Sequence, residues 1–387
     1  MCDAAVTISQ GRIVAVGTPP HDMPIEDLGH VAIVPGLVNA HTHLEFSDLA
    51  GPIGRPGMGL VEWLGRVVRH RANAPVLGRW CVELGLRECL SHGVTTIGEI
   101  AQPGGNHAAY LASPCDGTIF LELIAPQVER VQTALEAAGK HIDKIGRWQP
   151  GLSPHAPYTV HPELLARVVA LSAERQMPLA MHLAESREEI ELLCDGRGPF
   201  RELLESRGAW DPTARPRGAR PLDELRMLAG AHRALVVHGN YLDDEEIEYL
   251  GQQRRQMAVV YCPRTHAWFS HARYPLEKLL ATGAIVALGT DSRASSPDLS
   301  LLAEMRHVAR EFPALCRATI LELGTLASAR ALDLDSQVGT LEPGKWANLA
   351  VVALPEDAGA DPHELLLDTA GPVVATWVRG SRVWPEK

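Results

Sequence analysis

His41-Thr-His43 sets two imidazoles two residues apart. On an extended strand such residues face the same side, close enough to hold one cation between them. The apolar run Val34-Pro-Gly-Leu-Val-Asn-Ala40 leads into them and must be buried, and buried imidazoles need a partner. Three further metal-compatible groups, His182, His238 and Asp291, each close an apolar run elsewhere in the chain. Any one of them alone reads equally well as a hydrogen-bonded core residue. Four strand ends delivering such groups together are hard to obtain by accident. Three imidazoles and a carboxylate suit one borderline divalent ion, zinc first, with iron or manganese as alternatives. With an open position, such an ion can take a water and lower its pKa toward neutrality.

His182-Leu-Ala-Glu185 adds a second carboxylate just past a candidate ligand. Hydrolytic removal of a ring amine needs an activated water, a base to activate it and an acid for the ring nitrogen and the departing ammonia. Asp291 and Glu185 offer those roles in two different settings. Glu185 also has an ordinary reading, as a negative charge at a helix N-terminus beside Ser186.

These residues need a frame that gathers distant strand ends. Ala32–Val38, Val94–Ile97, Thr118–Leu121, Leu179–Met181, Leu235–Val237, Ala258–Tyr261 and Ala284–Leu288 are short apolar runs ending in polar residues. Amphipathic segments such as 162–175, 244–252 and 299–310 lie between them. Chemically capable residues at the C-terminal ends of successive parallel strands describe the catalytic face of a (β/α)8 TIM barrel. Both chain ends alternate apolar and polar residues instead. Residues 5–17 read as a hairpin, and 338–345, 348–353 and 373–383 as further strands. The expected layout is a small β-sandwich from residues 1–33 and 337–387 around a metal-dependent barrel at 34–336. Residues 195–222, rich in Gly, Pro and Arg, read as an excursion over the catalytic face.

A chain of 387 residues suits one barrel of about 250 residues plus such a module. The net charge of −11 argues against nucleic-acid or anionic-membrane partners, which require clustered Lys and Arg. A small-molecule substrate is expected instead, with a homo-oligomer left open. Seven scattered cysteines without a C-x-x-C pair read as reduced thiols. With no long apolar run and no signal pattern at the start, a soluble cytoplasmic protein is expected.

Residues 34–43, His155-Ala-Pro-Tyr-Thr-Val160, His182-Leu-Ala-Glu185, His238 and Leu288-Gly-Thr-Asp-Ser292 together resemble the amidohydrolase superfamily. Within it they are most similar to the cytosine deaminase, chlorohydrolase and adenosylhomocysteine deaminase branch. The resemblance spans nearly the whole chain. It implies that His41, His43, His182 and Asp291 bind one metal, that Glu185 shuttles a proton, and that His238 orients or polarises the water or the substrate. Binuclear members carry a carboxylated lysine at the end of the fourth strand, where this chain has His155, so the resemblance implies a single metal. The start reads as short against the family, since Met1 falls near what reads as the second sandwich strand, and Asn348 replaces a usual aspartate.

For the substrate, Glu62-Trp63 resembles the segment that offers a carboxylate to ribose hydroxyls in adenosylhomocysteine and methylthioadenosine deaminases, and also reads as an ordinary amphipathic helix. His155 and Tyr158 match the stretch facing the purine. Glu45 and Cys262-Pro-Arg264-Thr-His266 resemble aminofutalosine-type deaminases, though Glu45 equally reads as a partner for a ligand imidazole. Arg264 and Arg293 could meet a substrate anion or neutralise Glu45 and Glu185. The expected function is hydrolytic deamination of a purine-like or other aminated heterocycle, with an adenosine-type nucleoside favoured. A chlorohydrolase or other C–N hydrolase is the alternative, and a non-catalytic metal-binding protein the remote one.

Overall fold

Eight parallel strands follow one another around a single sheet in chain order: Leu37–Thr42, Val94–Ala101, Asp116–Leu123, Gln149–Pro154, Pro178–Leu183, Arg233–His238, Met257–Tyr261 and Ile285–Leu288. In this computed structural model the described residues are 4–18, 24–73, 79–105, 107–142, 148–212, 214, 218–356 and 361–385. The sheet closes between its last and first strands, where Asp291 N donates to His41 O at 3.1 Å and Thr42 Oγ1 donates to Asp291 O at 2.9 Å. The fold is a (β/α)8 barrel, and the seam of the barrel runs through the candidate metal site.

Strand alternation sorts the apolar residues into two layers. Val38, Ala40, Ile100, Phe120, Ala180, Leu235, Val237, Ala258, Val260 and Ala287 share one cluster that fills the barrel, plugged by Ala329, Leu332 and Val338. Their neighbours Ile119, Leu121, Leu179, Met181, Val236 and Val259 belong to a second cluster, packed on helices such as Pro162–Arg175 and Leu301–Glu311. Each strand is thus buried on both faces, which is why these runs read as continuously apolar.

The fourth strand, Gln149–Pro154, carries Pro at 150 and 154 and no apolar run, so periodicity does not reveal it. Outside the barrel, Ala5–Ser9 pairs antiparallel with Arg12–Gly17. A four-stranded antiparallel sheet takes Val31–Pro35 from the start of the chain and Leu349–Ala353, Val373–Val378 and Ser381–Trp384 from its end. Leu349, Val351, Ala375 and Trp377 pack with Val6, Ile8 and Ile33 between the two sheets. Residues 338–345 depart from expectation and form turns rather than a strand, as Gly339, Pro343 and Gly344 favour. No disulfide joins cysteines among the described residues, and Cys2 lies outside them. No helix among them is long and apolar enough to cross a membrane.

Candidate active site

His182 keeps the inward parity of Ala180, but the other groups reach the lumen only because the backbone departs from strand regularity. His41 follows inward-facing Val38 and Ala40 at the wrong parity. The pairing register with the second strand shifts between Asn39 and Thr42, and the Asn39 side chain stands in for the missing ladder partner. Its Oδ1 accepts from His41 N at 3.3 Å and Thr290 N at 3.1 Å, while its Nδ2 donates to Thr290 Oγ1 at 2.8 Å. Gly289 allows the close crossing, since a Cβ there would lie 2.9 Å from His41 Cβ. His238 also falls at outward parity after Val237, and its positive φ of 72° turns it inward. Asp291 does the same at φ 54°. Left-handed backbone at non-glycine residues is costly and persists where the surroundings over-determine it.

Five side chains converge as a result. The His41 ring centroid lies 4.9 Å from His43, 5.0 Å from His182 and 5.8 Å from His238. Asp291 Oδ1 is 3.6 Å from His41 Nε2 and 3.8 Å from His43 Nε2. Ligand atoms of His41, His182 and His238, and of His41, His43 and Asp291, fall within 4.8 Å of one another. All five groups are buried, yet both nitrogens of His41 and Nδ1 of His43 have no hydrogen-bond partner. Orphaned buried imidazoles around an aspartate fit a divalent cation. Flanking groups orient these side chains: His182 Nδ1 bonds to His155 O at 2.9 Å, leaving Nε2 to face the cluster, and Ser295 Oγ donates to Asp291 Oδ2 at 2.7 Å.

Electrostatics favours the unprotonated forms of His43, His182 and His238. Burial, then the neighbouring His41, lowers the His43 pKa to about 3. Burial pushes His182 well down, helped by the surrounding imidazoles, and lowers His238 to about 3. Burial works to raise the Asp291 carboxyl, but His41, His43 and His238 outweigh it and hold Asp291 below its ordinary value. Glu185 goes the other way. Burial, with the charges of Asp291, Glu189 and Glu188, raises it well above the usual carboxylate range. Its Oε1 is 3.4 Å from His238 Nε2. The turn that carries it is clamped by Glu189, which accepts from Ala184 N at 2.9 Å and Glu185 N at 2.8 Å. One low and one high carboxylate beside the same centre is the pattern of a base and an acid.

Loops from five strand ends roof the centre with Phe46, Met58, Trp63, Ala156, Tyr158, Leu192, Phe200, Leu204, Phe269 and Ala294. Tyr158 stacks on Phe200 at 4.1 Å, and Trp63 meets Phe269 edge-on at 5.4 Å. Phe200 and Leu204 come from the excursion at 195–222, through the helix Pro199–Ser206, while 213 and 215–217 lie outside the described residues.

The expected substrate residues fare unevenly. Trp63 reaches the roof, where its Nε1 donates to Ala294 O at 3.0 Å. Tyr158 and His155 reach the site, with His155 Nδ1 bonded to Thr159 Oγ1 at 2.7 Å and Nε2 3.9 Å from Glu122 Oε1. Glu62 lies half exposed on helix Leu60–Asn73 and pairs with Arg66 at 3.0 Å. The Arg264 guanidinium is spent on Glu304 at 2.6 Å and Asp298 at 2.7 Å, and Arg293 on Glu88 and Leu49 O, both at 2.7 Å. Neither arginine pairs with Glu45 or Glu185. Arg71 neutralises Glu45 instead, although burial still raises the Glu45 pKa. Arg71, Gln102, Ser295 and Glu189 escaped sequence reasoning, and only Glu189, three residues past the Ser186 cap, carried a local signal.

The profile of the amidohydrolase family matches residues 32–383. A protein of Desulforudis audaxviator (strain MP104C) named 5-methylthioadenosine/S-adenosylhomocysteine deaminase is 31% identical over 376 residues, covering 89% of this chain and 80% of that protein. The structure of an adenosine deaminase from Xanthomonas campestris with bound zinc superposes with a TM-score of 0.80 at 26% identity, covering 98% of this chain and 88% of that one. Helicobacter pylori aminofutalosine deaminase in complex with methylthio-coformycin shares the fold with a TM-score of 0.86 at 24% identity, covering 98% and 95%.

Proposed function

This chain belongs to the amidohydrolase family, and we propose that it is a metal-dependent aminohydrolase that removes ammonia from an adenine nucleoside. The observation that carries the reading is the convergence of three buried imidazoles and Asp291 beside a high-pKa Glu185, under an aromatic roof. The names of the relatives support the substrate class, and the zinc-bound neighbour supports zinc as the cation.

We assign His41, His43, His182 and Asp291 as the residues that hold the cation, whose bound charge supplies Lewis acidity to make water nucleophilic near neutral pH. Asp291, ionised because of its imidazole neighbours, accepts a proton from the attacking water. Glu185, kept protonated by burial and by nearby carboxylates, gives a proton to the ring nitrogen next to the carbon under attack. That nitrogen needs the proton because attack pushes an electron pair onto it. Collapse of the adduct breaks the bond from carbon to the amine as the carbonyl forms: the proton held by Asp291 passes to the amine, which leaves as ammonia, and the adduct's hydroxyl proton returns to Glu185, restoring both groups. His238, 3.4 Å from Glu185, orients the nucleophile by hydrogen bonding. The roof, with Tyr158, Phe200 and Trp63, covers the flat heterocycle and excludes bulk water, which strengthens each of these interactions.

Ammonia release from adenosine, methylthioadenosine and adenosylhomocysteine by zinc-loaded protein, with metal content measured in parallel, tests this directly. Turnover of at least one substrate at about one metal per chain is expected. Loaded protein that deaminates no adenine nucleoside refutes the reading.

A further inference from the structure

The left-handed backbone at His238 needs support that no catalytic side chain gives. His238 ends the sixth strand at a φ of 72° and Gly239 follows at 62°, so two left-handed residues stand in succession. A non-glycine residue keeps that conformation only where its surroundings impose it. On one side the turn is tied to the fifth strand: Gly239 N donates to Leu183 O and Tyr241 N to Ala184 O, both at 3.0 Å. On the other side the ladder with the seventh strand stops at Val237 opposite Val260. The His238 carbonyl beyond it accepts from Tyr274 Oη at 2.9 Å, in a buried setting.

Tyr274 is built into the wall for that contact. Its ring is 2% exposed and stacks on Tyr261 of the seventh strand, with centroids 3.7 Å apart and planes at 10°. His266 braces both rings edge-on, 5.6 Å from Tyr261 and 5.7 Å from Tyr274. The chain then folds back on His266, whose carbonyl accepts from His271 N at 3.3 Å. A ring clamped in this way fixes the hydroxyl at its tip.

The contact bears on the chemistry through strand parity. In regular extended backbone His238 would face outward with Val236, which packs on the helices. The left-handed turn brings its ring inward instead, to place Nε2 3.4 Å from Glu185 Oε1. Removing the Tyr274 hydroxyl would leave the His238 carbonyl buried without that donor, a costly state. Relaxation toward the ordinary β region relieves it and carries the imidazole away from Glu185.

We propose that Tyr274 is a positioning residue for the reaction: its hydroxyl locks the left-handed His238 backbone and so keeps the imidazole aimed at Glu185 and the attacking water. The assignment rests on the aminohydrolase reading above.

Ammonia release by zinc-loaded protein compares Tyr274→Phe with Tyr261→Phe, on whichever of adenosine, methylthioadenosine and adenosylhomocysteine the parent deaminates. Both variants keep the stacked rings, and only the first loses the donor to His238. Tyr274→Phe should lower kcat by about 10–100-fold, the scale of a catalytic group displaced by up to about 1 Å. KM should stay within about 3-fold and zinc near about one per chain, because neither ground-state binding nor a proposed ligand is touched. Tyr261→Phe should keep kcat within about 2-fold of the parent. Replacing Tyr274 by 4-aminophenylalanine restores an N–H donor at the same place and should hold kcat within about 3-fold of the parent. That variant also serves as the test if Tyr274→Phe does not fold. An unchanged kcat in Tyr274→Phe, equal losses in the two Phe variants, or a kcat below about a third of the parent with 4-aminophenylalanine overturns the proposal. Each of those results leaves the aminohydrolase reading intact. A parent that deaminates none of the three nucleosides defeats that reading instead.

Discussion

Glu185→Gln keeps the shape of the side chain and removes its ability to pass a proton. The local backbone has no reason to move, because Ala184 N and Glu185 N are held by the Glu189 carboxylate and Glu185 O accepts from Asn240 Nδ2 at 2.9 Å. The substitution leaves the four proposed ligands untouched, so metal content should stay near that of the parent. Loss of one acid–base group is worth about 10²–10⁴ in rate, or about 3–6 kcal/mol at roughly 1.4 kcal/mol per decade. Because proton transfer is made only in the transition state, kcat and kcat/KM should fall together while KM stays within about 3-fold. Steady-state ammonia release and elemental analysis on the same preparation give both readouts. Activity above about a tenth of the parent, or loss of metal, would mean that Glu185 is not the proton carrier.

Ser295→Ala removes the 2.7 Å hydrogen bond to Asp291 Oδ2 and should weaken zinc binding by about 10–100-fold in chelator competition; unchanged affinity contradicts the orienting role. Phe200→Ala strips the fully buried ring stacked on Tyr158 and should cost about 3–5 kcal/mol in urea unfolding while raising KM more than it lowers kcat. Burial holds His141, His266 and His271 at pKa values of about 4, against 6.5 when unfolded. Between those values the unfolded chain binds more protons, so stability is full above about pH 6.5 and declines toward pH 4, by up to about 3 kcal/mol per histidine. Urea melts of His141→Gln across this window should show a flatter pH dependence than the parent, and equal slopes would dismiss His141 as a contributor.

Residue type and local period carried much of this protein. Strands buried on both faces read as apolar runs, and a polar residue closing such a run marks a barrel rim, so His182, His238 and Asp291 are legible from sequence alone. The His-x-His pair and Glu185 were equally visible because their spacing is local. Tertiary structure alone decided how they meet. Parity turns His41 and His238 away from the lumen. A bulge held by Asn39 against Thr290, 251 residues away, and a left-handed backbone at His238 bring them back. Pairings with long separations were likewise invisible: Arg264 with Glu304, Arg293 with Glu88, and Arg71, not either of those, with Glu45. Periodicity reports which face of an element is apolar. It carries no information on which distant charge lies opposite, because that depends on how the barrel closes.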